Sequence, residues 1–292
     1  MELTERNDIS IAQIVLFVPF LAVALLLCVR HGFGSNAGWL FLVLFSLLRI
    51  VGASLQLAAT AQPDNLGLFF GSLTLQGIGL SDFIIVLLAL INRALESAER
   101  ARNVIVNPRV LYWAQVLVLV GVILGAIGGS QAGSHYAETG VYQVSSLTQA
   151  SISLTIAGFA LLVIATALLG LSVSHVEAGE KRVVLAVALS LPFLLVRVLY
   201  QAIGTFNRHS AFNSVTGDVN VFLGTAVIEE IIIVLIIEGI GLTLQVRPKN
   251  NSPSNRPGLA RVFNHFKRRY GGGYEMQSLN QNPHRHSGAS SV

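Results

Sequence analysis

Six ionisable side chains fall inside long apolar stretches: Arg49, Asp82, Arg197, Glu229, Glu230 and Glu238. A charge near the centre of a bilayer costs about 2.5–3.5 kcal/mol even on the mildest scale, so such groups turn toward one another or toward a water-filled interior. Two arginines meet four acids here. Two acids are therefore left without an arginine, and are expected to be neutral, to touch an internal cavity, or to hold a proton or a cationic ligand. Glu229 and Glu230 are adjacent and project about 100° apart on a helix, so they cannot both face the same neighbour. Arg197, Tyr200 and Gln201 share one face by i, i+3 and i+4 spacing, and Ser46, Arg49 and Gln56 form a polar stripe. The economical pairing sets Arg197 against Glu229 or Glu230, and Arg49 against Asp82 or the other glutamate. Arg49, Asp82, Arg197, Tyr200, Gln201, Glu229 and Glu230 thus form a candidate intramembrane polar network, suited to a ligand or proton site. The plainer reading is a set of buried ion pairs that fixes helix register. If the network is functional, replacing Glu230 with Gln is expected to alter activity more than abundance.

Other chemistry lacks its residues. The only lysines are Lys181, Lys249 and Lys267, and none lies in an apolar stretch, which excludes a retinal Schiff base. All seven histidines lie outside the stretches, so no metal site of histidine and aspartate is expected within them. The single cysteine, Cys28, cannot form an intrachain disulfide. No phosphate loop, Gly-x-Ser-x-Gly or Cys-x-x-Cys is present, so neither ATP-driven pumping nor serine hydrolysis has support. No catalytic residue and no cofactor is expected, and an enzyme is the less favoured class.

The elements that must carry these charges follow from composition. Of 292 residues, 53% are apolar and 12% charged, with a mean hydropathy of +0.66. Soluble domains carry about 25% charged residues. A disordered chain, a disulfide scaffold and a nucleic-acid module are excluded. Apolar runs of the length that crosses about 30 Å of hydrocarbon recur seven times, over residues 9–29, 37–58, 66–91, 110–129, 147–174, 183–206 and 219–244. Backbone in lipid must satisfy its own hydrogen bonds, so these runs are expected to be helices. The expected fold is all-α: a multi-pass, seven-transmembrane-helix bundle over residues 1–246, followed by a basic tail over 247–292. The first run is too long for the core of a signal peptide, and Glu2, Glu5 and Asp8 oppose the positive flank such a peptide needs, so it is expected to remain as an anchor.

Lysine and arginine counts orient the bundle. The side holding the N-terminus carries two, Arg6 and Arg208, whereas the other side carries fifteen. The N-terminus is therefore expected outside and the C-terminus in the cytosol, in either the plasma membrane or an endomembrane. The tail from residue 245 carries eight basic groups and one acid, Glu275, and is rich in Pro, Asn, Ser and Gly, so most of it is expected to be disordered. Near 258–270, Arg261, Phe263, Phe266, Lys267, Arg268 and Arg269 make a short basic amphipathic helix suited to the anionic inner-leaflet lipids. The stretch 92–109 is expected to prolong the third helix. The stretch 131–146, with Tyr136 and Tyr142, is expected to be a connector, or a cap over an outer vestibule. Gly121, Gly125 and Gly129 repeat at four-residue spacing and invite close packing, either within the chain or in a dimer. Pro192 is expected to kink the sixth helix, and Trp39 and Trp113 to anchor helix ends at the interface.

The stretch Leu191-Pro-Phe-Leu-Leu-Val-Arg197-Val-Leu-Tyr200, followed by Ala226-Val-Ile-Glu229-Glu230-Ile-Ile-Ile-Val, resembles a family of fungal seven-span integral membrane proteins grouped as a domain of unknown function. Ser46-Leu-Leu-Arg49-Ile-Val-Gly52 fits the same pattern. The resemblance covers residues 9–246 and implies a fold and a fungal origin without an activity. A more distant similarity is to the fungal lipid-translocating exporter family, which pairs an arginine-rich sixth span with a glutamate in the seventh; this chain has one arginine in that span. Three classes of function remain. The first is a receptor-like or ligand-sensing protein that binds a small lipophilic or cationic ligand and engages a cytosolic partner. The second is a transporter or lipid translocator using the intramembrane acids. The third is a membrane-embedded enzyme of secondary metabolism. Nucleic acid is not an expected partner.

Overall fold

The computed structural model describes residues 5–31, 37–100, 108–171, 178–207 and 219–244. The tail, including its expected amphipathic helix, lies outside the described residues. Six long helices come first: α1 (Glu5–His31), α2 (Ala37–Ala61), α3 (Leu66–Arg100), α4 (Pro108–Thr139), α5 (Ser146–Leu171) and α6 (Ala178–Phe206). A continuous helical run follows, made of α7 (Val219–Phe222), a π-helical turn (Leu223–Val227) and α8 (Ile228–Thr243). Among the described residues there is no strand.

Helices α1 to α6 are each long and apolar enough to cross a membrane. With 16 residues, α8 is shorter than the ~20 a crossing needs, and reaches that length only together with α7 and the π-helical turn. Successive helices run antiparallel. Thr60, at the end of α2, donates a 2.9 Å hydrogen bond to the Asn7 side chain at the start of α1. At the opposite end, His31 closes α1 and sits 3.4 Å from the Gly241 carbonyl in the last turn of α8.

Helix α3 is the central post, packed against α2, α4, α5 and α6. Phe83, Ile84, Ile85, Val86, Leu87 and Leu88 follow one another with every side chain buried, and Leu90 and Ile91 are buried too, the mark of a helix enclosed on nearly all sides. Helices α1 and α4 are peripheral. They turn Val15, Val18, Val29, Ile123 and Ile127 outward, and the chain's exposed surface is apolar there as a bilayer requires.

Small residues set the spacing of the seams. The Ser151 hydroxyl of α5 donates to the Gly121 carbonyl of α4 at 2.6 Å. A methyl placed on Gly125 would meet the same hydroxyl, and one on Gly129 would run into Thr74 of α3. The glycine repeat of α4 therefore serves packing within the chain, against α5 and α3.

Several helix ends depart from the hydropathy limits. Helix α3 does extend past the apolar run to Arg100, and residues 101–107 of the expected extension lie outside the described residues. Helix α4 continues to Thr139, ten residues past the apolar run, and stops where Gly140 takes a φ of 69° and its N–H caps the Tyr136 carbonyl at 2.8 Å. Helix α6 runs through Pro192 without a break. Trp39 is not an interfacial anchor. It is 1% exposed, stacked on His31 with ring centroids 5.5 Å apart, and laid over Gly241, where a Cβ would come within 2.6 Å of the indole. Its bulk fills the joint between α1, α2 and α8. Trp113, 65% exposed, does point away from the bundle.

Candidate functional site

Arg49 of α2 and Arg197 of α6 both reach Glu230 of α8. An Arg49 terminal nitrogen donates to Glu230 Oε1, and Arg197 Nε donates to the same oxygen at 3.1 Å. All three side chains are almost wholly buried. Glu230 alone thus joins three helices, because a residue at this register of α8 points into the space between α2 and α6. The pairing differs from the expected one in a single respect: Arg49 goes to Glu230 instead of Asp82 or Glu229. Its guanidinium lies across Gly79 of α3, where a Cβ would sit 2.6 Å from Nη2. A side chain at 79 would have to push the guanidinium aside, so the glycine leaves Arg49 a direct route past α3 to α8. The Phe45 ring lies 5.1 Å from the same guanidinium carbon.

Asp82 and Glu229 stand close by without joining. Asp82 is within the electrostatic field of Arg49, and Glu229 within that of Arg197 and Glu230. Asp82 Oδ2 and Glu229 Oε2 are nevertheless buried with no hydrogen-bond partner among the described residues, as is Glu238 Oε1 nearer the far end of α8. The Tyr200 ring lies 5.6 Å from the Arg197 guanidinium carbon. Gln201 Nε2 donates to the Gly77 carbonyl at 3.4 Å, and Arg197 Nη2 to the Gln76 carbonyl at 3.4 Å. The polar stripe of α2 is used elsewhere as well: Gln56 accepts from Ser72 of α3 at 2.9 Å, while Ser46 bonds within its own helix.

A cavity of about 110 Å³ opens beside this network, toward the end of the bundle where α1 begins. Helices α3 to α7 and the α4–α5 connector all contribute to its wall. Of the sequence-predicted site residues, Arg197, Tyr200 and Gln201 line it, whereas Arg49, Asp82, Glu229 and Glu230 do not. Tyr142 of the connector closes it from the side, stacked on Phe70 of α3 at 6.1 Å between centroids. Burial pushes the Tyr142 phenol up from its ordinary value. The stretch 131–146 is therefore part helix and part wall of this cavity.

Two features escaped the sequence. The hydroxyl and amide lining, including Thr74, Gln76, Ser81, Thr148 and Ser151, is scattered through apolar runs and carries no charge to draw attention. The second is an ion pair at the opposite end. Arg93 of α3 makes a forked contact with Glu180 of α6, with N···O distances of 3.0–3.1 Å, and both residues are buried. Both residues lie outside the apolar runs, so neither was a candidate for pairing. Among the described residues no group of three His, Cys, Asp or Glu side chains is placed to hold a metal.

Long apolar helices enclosing buried ion pairs define a helical membrane protein. The profile of a family described as a domain of unknown function, DUF7702, matches residues 3–247, and the chain belongs to that family. No curated protein and no solved structure matches it.

Proposed function

We propose that the chain crosses the bilayer seven times, N-terminus outside and C-terminus in the cytosol, and works as a ligand-sensing membrane protein. The excess of lysine and arginine on one side supports the orientation. The length of the continuous run 219–243 supports the seventh crossing. The observation that carries the sensing role is the outer cavity, whose wall includes the Arg197 guanidinium that binds Glu230 and, through it, Arg49. Helices α3 and α6 border this cavity at one end and are clamped by Arg93 and Glu180 at the other. A ligand that wedges α3 from α6 would load that clamp, which is a means of signalling to a cytosolic partner. Spin labels at the cytosolic ends of α3 and α6, with the chain in nanodiscs, test this. A change of label distance on adding a small lipophile, without movement of that compound across a liposome wall, is expected. Transport with a fixed distance would contradict it.

A second reading, a transporter or lipid translocator, is favoured by the unpartnered buried oxygens of Asp82, Glu229 and Glu238. It would also accommodate the similarity to the lipid-translocating exporters and a fungal source. It predicts flux of a lipid or protons in liposomes that Glu229→Gln abolishes. The basic tail, through Arg261, Phe263, Phe266, Lys267, Arg268 and Arg269, would rest on anionic inner-leaflet lipids. Replacing its four basic residues there with Gln should release a tail peptide from phosphatidylserine vesicles, and unchanged binding would refute that role.

A further inference from the structure

We propose that the outer cavity binds a small lipophilic alcohol, its hydroxyl seated between Gln201 and the Arg197–Tyr200 edge. The proposal rests on the sensing reading above and assigns the chemical class of its ligand. Three observations lead to it.

The first is a polar atom in want of a donor. Gln201 spends its Nε2 on the Gly77 carbonyl at 3.4 Å, while its Oε1 is buried without a partner. The amide cannot be turned around, because Oε1 would then face the Gly77 carbonyl. A ligand group that answers Oε1 must carry an O–H or N–H.

The second is the charge of the lining. Among the described residues Arg197 is the one ionised side chain in the wall, and no carboxylate lines it. A cationic ligand would meet Arg197 with no described carboxylate in the wall to balance it. An anionic ligand meets a different obstacle. Arg197 already answers Glu230, and Asp82, Glu229 and Glu230 together stand against two arginines. Neither sign of charge is called for, which leaves a neutral head able to donate and accept.

The third is the shape and polarity of the remainder. Phe70, Leu73, Ile78, Val122, Ile152 and Phe222 supply an apolar wall around the polar corner. The volume of about 110 Å³ is somewhat below that of an engineered cavity of about 150 Å³ that holds benzene. The ligand is therefore compact, or places only its hydroxylated end here.

The test uses the full chain in nanodiscs and three photoactivatable probes with one diazirine-bearing aliphatic chain, ending in an alcohol, a carboxylate or an amine. The sites of labelling are mapped by peptide mass. Labelling of cavity-wall residues on α3 and α6 by the alcohol is expected to exceed that of the other two by about fivefold, the worth of one neutral hydrogen bond. Gln201→Leu should bring the alcohol down to their level. Strongest cavity labelling by the acid or the amine, or equal labelling by all three, would overturn the alcohol assignment while leaving the cavity as a binding site. Labelling that avoids the cavity with every probe would overturn the sensing reading itself. Should Gln201→Leu fail to fold, the ranking of head groups on the unaltered chain decides the matter.

Discussion

At position 230 one carboxylate serves two guanidinium groups from different helices, and the cost of removing it differs from that of removing its neighbour. Glu230→Gln would strand two buried cations, whereas Glu229 has a buried oxygen without a partner and makes no ion pair. Glu229→Gln is therefore expected to change the unfolding midpoint little or to raise it, within about 1 kcal/mol, in thermal denaturation of the purified chain. A collapse as deep as that of Glu230→Gln would mean that Glu229 holds the bundle as well. The geometry also revises what the sequence suggested for Glu230, moving the expected effect from activity toward stability. That these charges had to meet was legible from their depth in apolar runs. Which carboxylate received Arg49 was not, because the choice depends on Gly79, a residue with no side chain to signal its role.

Among the elements, the α3–α6 pair carries the longest chain of consequence. It borders the cavity at one end, and the Arg93–Glu180 pair ties it at the other. Breaking a buried pair from one side costs about 3–5 kcal/mol, since the survivor is left uncompensated. Arg93→Ala and Glu180→Ala should each lower stability by an amount of that order. Their double variant should lose clearly less than the sum, and strict additivity would show that the two do not act together. The π-helical turn Leu223–Val227 lies immediately before Glu229 and Glu230. Such a turn holds one residue more than an α-helical turn, and so sets which of the two buried glutamates meets Arg49 and Arg197. Hydropathy located the helical run but not this turn, since both kinds of turn have the same apolar composition. Helix α4 shows the same limit. Its last ten residues are largely polar or small, so they read as loop while Gly140 fixed the true end.

For the whole molecule, the proposed orientation has a direct consequence. Glycosylation sequons inserted in the connector at residues 140–145 should be modified in a eukaryotic membrane, while the native Asn250-Asn251-Ser252 should remain bare. Modification at Asn250 would invert the topology and with it the sidedness of the cavity. The all-helical class and the apolar helices were legible because a bilayer imposes a period and a length on sequence. The cavity was not, because it arises where five helices and a connector fail to fill space, which no single run encodes.

Glu230 holds α2, α6 and α8 together through two arginines at once. Thermal unfolding of Glu230→Gln, of Arg49→Gln with Arg197→Gln, and of the triple variant tests it most directly. A loss of about 3–5 kcal/mol is expected for Glu230→Gln, much of it recovered in the triple variant, where none of the three positions leaves a charge unanswered. A triple variant that loses the full sum of the separate effects would contradict it.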